Sequence, residues 1–223
     1  MRLRTITIAL ATLALPLTAA VPASSGAATA AETITARDLL ARVTVAAEAR
    51  SSTYDRAKFK HWTDADGDSC NAREEVLIAE SKVTPTVGSG CTVSNGQWVS
   101  WYDGATWTNP SDVDIDHVVA LKEAWQSGAR NWTSTNREKF ANDLGYAWSL
   151  DAVTDNVNSS KSDRDPAEWL PPKTSVHCTY AIHWVAVKYR WRLTINSAEK
   201  SKLTSLLSGT CGEKTLNVPP RAL

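Results

Sequence analysis

What this chain lacks narrows it before any motif is read. Beyond the stretch Ile6 to Ala20, no apolar run approaches the roughly 20 residues that a membrane-spanning helix needs. Its 24 basic and 24 acidic residues cancel, so bulk charge gives no reason to expect a nucleic-acid partner. Any such argument must come from a site. No His-Glu-x-x-His is present, which removes the zinc-protease reading. The 4 cysteines form no Cys-x-x-Cys or Cys-x-x-His spacing, which argues against structural zinc. Neither a low-complexity linker nor an internal repeat interrupts the chain, so residues 31–223 read as one domain, long enough to hold a real core.

The first 30 residues read as a secretory signal: Arg2 and Arg4, the apolar run to Ala20, then the small-x-small site Ala28-Thr29-Ala30. The expected product is exported, free of the membrane and monomeric. Without Arg2 and Arg4 its 24 basic residues fall to 22 against 24 acidic ones. Cysteines in an exported chain point to disulfides, and sequence proximity favours Cys70 with Cys91 and Cys178 with Cys211.

Periodicity predicts an α+β domain with little sheet. Apolar residues recur at helical spacing from Ala31 to about Ser51, and a second helix is expected from Ala72 to Ser81. Trp98, Val99, Trp101, Tyr102 and Trp107 surround Asp103-Gly104, the signal of a hairpin. A strand from Asp112 should break into a helix ending near Gln126, with Gly128 beyond it. Helices are also expected over Ser134–Asp143, Val176–Leu193 and Ser197–Leu207. The last begins with Asn196 and carries Glu199 in capping-box spacing.

The chemistry concentrates in Asp112-Val113-Asp114-Ile115-Asp116-His117, which is followed by the apolar Val118-Val119-Ala120-Leu121. In an ideal strand the acids would face water and His117 the apolar side. The apolar run breaks that alternation, so a turn is expected after His117, and a turn lets Asp116 and His117 converge. A carboxylate beside an imidazole suits water activation next to a phosphate. Some forty residues on, Asn158 and Lys161 share a helical face if a helix begins there, offering an amide oxygen for a hard cation and an ammonium for phosphate.

Together these segments resemble the HNH nucleases, the ββα-metal fold. Asp116-His117-Val118-Val119 is similar to the family's Asp-His element, and Asn158-Ser159-Ser160-Lys161-Ser162-Asp163 to its Asn-x-x-Lys-x-Asp element. A wider resemblance, from Tyr54 to Thr194, is to small secreted bacterial proteins of the HNH group that includes the C-terminal domain of GmrSD-type restriction enzymes. It implies an HNH core with additional packed helices and a small hairpin, and an endonuclease acting on nucleic acid, with DNA ahead of RNA. It also implies that His117 is the general base, that Asp116 and Asn158 hold one divalent cation, and that Lys161 and Arg73 meet phosphate. The position that other HNH enzymes fill with histidine is here an amide, so Mg²⁺ or Mn²⁺ is expected over Zn²⁺. The family's middle asparagine is replaced by Ser149, and Asn142 or Asn156 is the expected substitute.

Other features carry competing readings. Asp64, Asp66 and Asp68 with Glu75 imitate a calcium loop, but Ser69 stands where its sharp turn needs glycine. His61, His177 and His183 are expected in core or surface roles. Lys188, Arg190, Arg192, Lys200 and Lys202 would track a phosphate backbone or form a solvated face. The rival from another class is a carbohydrate-binding module that stacks sugars on Trp98, Trp101 and Trp107.

Overall fold

The computed structural model describes residues 31–223, and the expected signal over residues 1–30 lies outside them. In chain order the elements are β1 (Thr33–Thr35), α1 (Ala36–Ala41), α2 (Ala72–Glu80), β2 (Thr86–Val87), β3 (Val93–Ser94), β4 (Trp98–Val99), β5 (Thr106–Trp107) and β6 (Val113–His117). There follow α3 (Leu121–Gln126), α4 (Ser134–Ala141), β7 (Leu150–Thr154), α5 (Asp155–Lys161), α6 (His177–Arg190), α7 (Ser197–Leu206), α8 (Gly209–Gly212) and β8 (Thr215–Asn217). The class is α+β, and every sheet among the described residues is a two-stranded antiparallel pair: β1 with β8, β2 with β3, β4 with β5, and β6 with β7. None of the described helices is long and apolar enough to cross a membrane.

The largest departure from expectation is at the start, where the predicted helix over 31–51 shrinks to Ala36–Ala41. Thr35 caps it by accepting the Asp38 N–H, and it ends at Arg42, just before Val43-Thr44-Val45. These β-branched residues favour an extended backbone. They find a partner in Ile195, whose N–H donates to Thr44 and whose carbonyl accepts from Ala46. Helical periodicity lost to long-range backbone pairing.

Elsewhere local chemistry sets the boundaries. A capping box on Asn71 and Glu74 starts α2, and another on Asn196 and Glu199 starts α7. Gly128, at φ 137°, turns the chain after α3. Helix α6 stops three residues short of Leu193 because Arg192 takes φ 52°, which no helix continues through.

Two apolar clusters hold the elements. The larger packs α1, α3 and α6 around Leu39, Leu121, Tyr180, Trp184, Val185 and Trp191. Within it the Lys188 ammonium is fully buried between Glu123 and Glu199. The smaller lies between α2 and the β6–β7 pair and contains Val76, Leu77, Trp98, Val113, Ile115, Leu150 and Ala152. Both disulfides join the cysteines that proximity favoured, Cys70 with Cys91 and Cys178 with Cys211.

Candidate active site

Strands β6 and β7 pair from Val113 opposite Thr154 to His117 opposite Leu150, although residues 118–149 intervene between them. Helix α5 begins at Asp155, directly after β7. This strand, strand, helix order brings Asp116, His117 and Asn158 to one cleft of about 410 Å³, whose walls also include Tyr54, Arg56, Lys122 and Asp163.

The tautomer of His117 follows from its surroundings. Its Nε2 lies 2.9 Å from the Ala141 carbonyl at the end of α4. A carbonyl only accepts, so Nε2 carries the hydrogen and Nδ1 keeps its lone pair. The ring is packed near Trp62 and Phe140, with centroids 5.6 and 6.4 Å away. Burial lowers its pKa to about 3, so the ring is neutral at ordinary pH, the state a proton acceptor needs.

Asp116 is buried rather than solvated, which corrects the simple strand picture of acids in water. Its Oδ1 receives the Lys161 ammonium at 2.8 Å and its Oδ2 the Tyr102 hydroxyl at 2.6 Å. Burial pushes the Asp116 carboxyl up, against the pull of Lys161 and of the Tyr102 bond. Directly across the ladder stands Asp151, whose Oδ2 has no hydrogen-bond partner among the described residues. Burial, with the charges of Glu80 and Asp116, holds that carboxyl well above the usual carboxylate range.

Lys161 is fully buried, and besides Asp116 it bonds the His117 carbonyl at 2.9 Å. Helical spacing from Asn158 placed it on α5 as expected, but it points behind the cleft and does not line it. Asn158 does line it, and its Nδ2 donates to Asp114 Oδ2 at 3.1 Å, which orients the amide. Arg73 lies elsewhere. Its guanidinium donates to the carbonyls of Pro110 and Val113 at 3.0 and 3.1 Å, and it lines a different surface cleft beside Cys91.

The segment between the strands is pinned twice. Asn142 accepts from the Thr63 N–H and donates to the carbonyls of Lys60 and Glu138, tying α4 to the Lys60–Thr63 segment. The Ser149 hydroxyl donates to Asp143, which also takes Arg190 and Trp191.

Several residues with competing readings are otherwise engaged. The hairpin tryptophans do not form a sugar platform: Trp98 is fully buried with its indole N–H on the Leu77 carbonyl, Trp101 packs against the large core, and Trp107 donates to Thr154. Lys188 and Arg190 are held by Glu123, Glu199 and Asp143, so they do not form a free basic track with Arg192, Lys200 and Lys202. His61 and His177 bond backbone carbonyls, and His183 stacks on Trp148 at 4.3 Å. Oxygens of Asp64, Asp66 and Asp68 lie within 4.8 Å of one another, and the loop turns through Gly67 at φ 83° and Ser69 at φ 81°.

Sequence reasoning gave no site role to Tyr54, Arg56, Tyr102, Lys122 or Asp163. Asp163 closes the Asn-x-x-Lys-x-Asp element and Tyr102 belongs to the expected hairpin, whereas no local motif marks Tyr54, Arg56 or Lys122, although the wider resemblance began at Tyr54.

A family model described as the C-terminal domain of GmrSD restriction endonucleases matches residues 87–206, more than half the chain. A curated protein of Arthroderma benhamiae, described as an uncharacterized secreted protein, is 50% identical over 177 residues, which cover 79% of this chain and 85% of that protein. The chain therefore belongs to the GmrSD C-terminal domain family. That relative is fungal, so kinship is not confined to bacterial proteins as the sequence resemblance implied. No solved structure matches the chain.

Proposed function

We propose that this protein is an exported, monomeric, metal-dependent endonuclease that hydrolyses phosphodiester bonds of nucleic acid, with DNA ahead of RNA. In this reading β6, β7 and α5 form a ββα-metal core of the HNH type. One observation carries it: a neutral imidazole, its Nε2 anchored on the Ala141 carbonyl, stands beside Asp116 and Asn158 in one cleft. The family match supports the same class.

His117 Nδ1 takes the proton of an attacking water, and the Ala141 bond keeps the ring from turning away. Asp116 and Asn158 offer the hard oxygen donors that suit Mg²⁺ or Mn²⁺, and both face the cleft. A cation held there would supply charge stabilisation at the leaving oxygen. Lys161 and Tyr102 fix the Asp116 carboxylate from behind, each on its own oxygen. Arg73 serves by holding the carbonyls at the start of β6.

Digestion of plasmid DNA, single-stranded DNA and RNA by the purified protein tests the reading. Cleavage should need added Mg²⁺ or Mn²⁺ and vanish in excess EDTA, and Asn158→His should shift the preference towards Ni²⁺ or Zn²⁺. Cleavage at full rate in chelator would sink the one-metal mechanism.

A further inference from the structure

Beyond the divalent ion, holding a phosphodiester favours a positive side chain that can reach the anion, and the expected cationic side chains are engaged elsewhere. Lys161 is fully buried on Asp116, and Arg73 is bound to backbone carbonyls outside the cleft. Lys122 lines the cleft but is ion-paired with Asp163. Arg56 differs from all three: it is exposed, lines the cleft, and forms no ion pair among the described residues.

Its backbone is firmly placed. Arg56 opens a short turn, Arg56–Lys58, in which Asp55 accepts the Ala57 N–H at 2.9 Å. The next residue, Phe59, is fully buried and packs its ring against Trp125 and Phe140. Tyr54, on the other side, packs edge-on against Trp125. A long guanidinium side chain on a rigid stem, beside the Asp116–His117 corner, is built to receive phosphate oxygens.

Resting on the nuclease reading, we infer that Arg56 is the residue of this chain that grips the phosphodiester in the cleft. The grip comes from outside residues 87–206, the stretch that the family model matches. The N-terminal segment thus adds an anion contact to a site whose Asp116, His117 and Asn158 lie on β6 and α5.

Two measurements test it independently of turnover. In the full chain carrying His117→Ala, affinity for a labelled DNA duplex is measured as a function of salt with and without Arg56→Ala. Each phosphate contact contributes about 0.9 to the slope of log affinity against log salt. Loss of Arg56 should reduce the slope by about that amount and weaken binding about tenfold. Arg56→Lys, which keeps the charge, should restore most of the slope. The thermal midpoint should move little, because the side chain is exposed and forms no ion pair among the described residues. Equal slopes with and without Arg56, or no DNA binding at all by the His117→Ala chain, would overturn the inference. If the slope drops as expected but the parent protein cleaves none of the substrates, the hydrolytic reading fails and Arg56 stands as a phosphate-binding residue.

Discussion

At the scale of single residues, the candidate site is a buried ion pair, Lys161 with Asp116, beside a neutral imidazole. On the proposed mechanism, His117→Ala removes the proton acceptor without removing a structural charge. Cleavage should fall about 100- to 10,000-fold while the circular dichroism spectrum stays that of the parent. Lys161→Ala should behave in the opposite way. It leaves the Asp116 carboxylate buried without its counter-charge, which costs about 3 to 5 kcal/mol, read as a lower denaturant midpoint. Tyr102→Phe removes a hydrogen bond to a charged acceptor and should cost roughly 1.5 to 3 kcal/mol in the same measurement. Sequence reveals that Asp116, His117, Asn158 and Lys161 belong together, because two short motifs and helical spacing carry that information. It does not reveal which way Lys161 points. Direction depends on how α5 docks on β6 and β7, a packing outcome that no local pattern encodes. Tyr54, Arg56 and Tyr102 are harder still, since each reaches the site from a stretch with no chemistry of its own.

At the scale of elements, the most legible features were those with local causes. The Asn196–Glu199 box is visible in sequence and starts α7 as expected; Asn196→Ala should lower stability by about 1 kcal/mol in chemical unfolding. Helix α2 and the hairpin of β4 and β5 were likewise readable. The N-terminal stretch was not, because the contact that straightens Val43–Val45 comes from Ile195, far along the chain. Helix α2 also carries a pH response. Glu80, at its last position, accepts the Ala152 N–H at 3.0 Å, and burial raises its pKa to about 7 from 4.5. An acid whose folded pKa is raised holds its proton more tightly in the native state. Its stabilising contribution is complete below about pH 4.5 and is lost as pH rises towards 7. Glu80→Gln keeps the acceptor and removes the charge. The variant should match the parent near pH 4.5 and gain roughly 1.4 kcal/mol per pH unit up to about 7, levelling off above that. Denaturant midpoints at several pH values check both sign and window.

At the scale of the whole molecule, two covalent ties and one long-range ladder define the domain. The disulfides close separations of 21 and 33 residues, and replacing either pair by serine should cost roughly 2 to 4 kcal/mol in chemical unfolding. Cysteine arithmetic made both pairings legible, since each joins neighbours in sequence. The arrangement of the large core was not legible: ten tryptophans announce burial but not which helix faces which. The β6–β7 ladder has a kinetic meaning as well. Its strands are separated by residues 118–149, so the loop-closure entropy must be met before any ladder bond forms, and such non-local pairing is slower than the winding of a helix. The cleft also waits for the segment around Arg56 to come back across the chain. During refolding, helical circular dichroism should therefore recover before cleavage does. On the proposed nuclease reading, a molecule in that interval would have most of its secondary structure yet be harmless to any nucleic acid near it, a built-in delay between synthesis and activity.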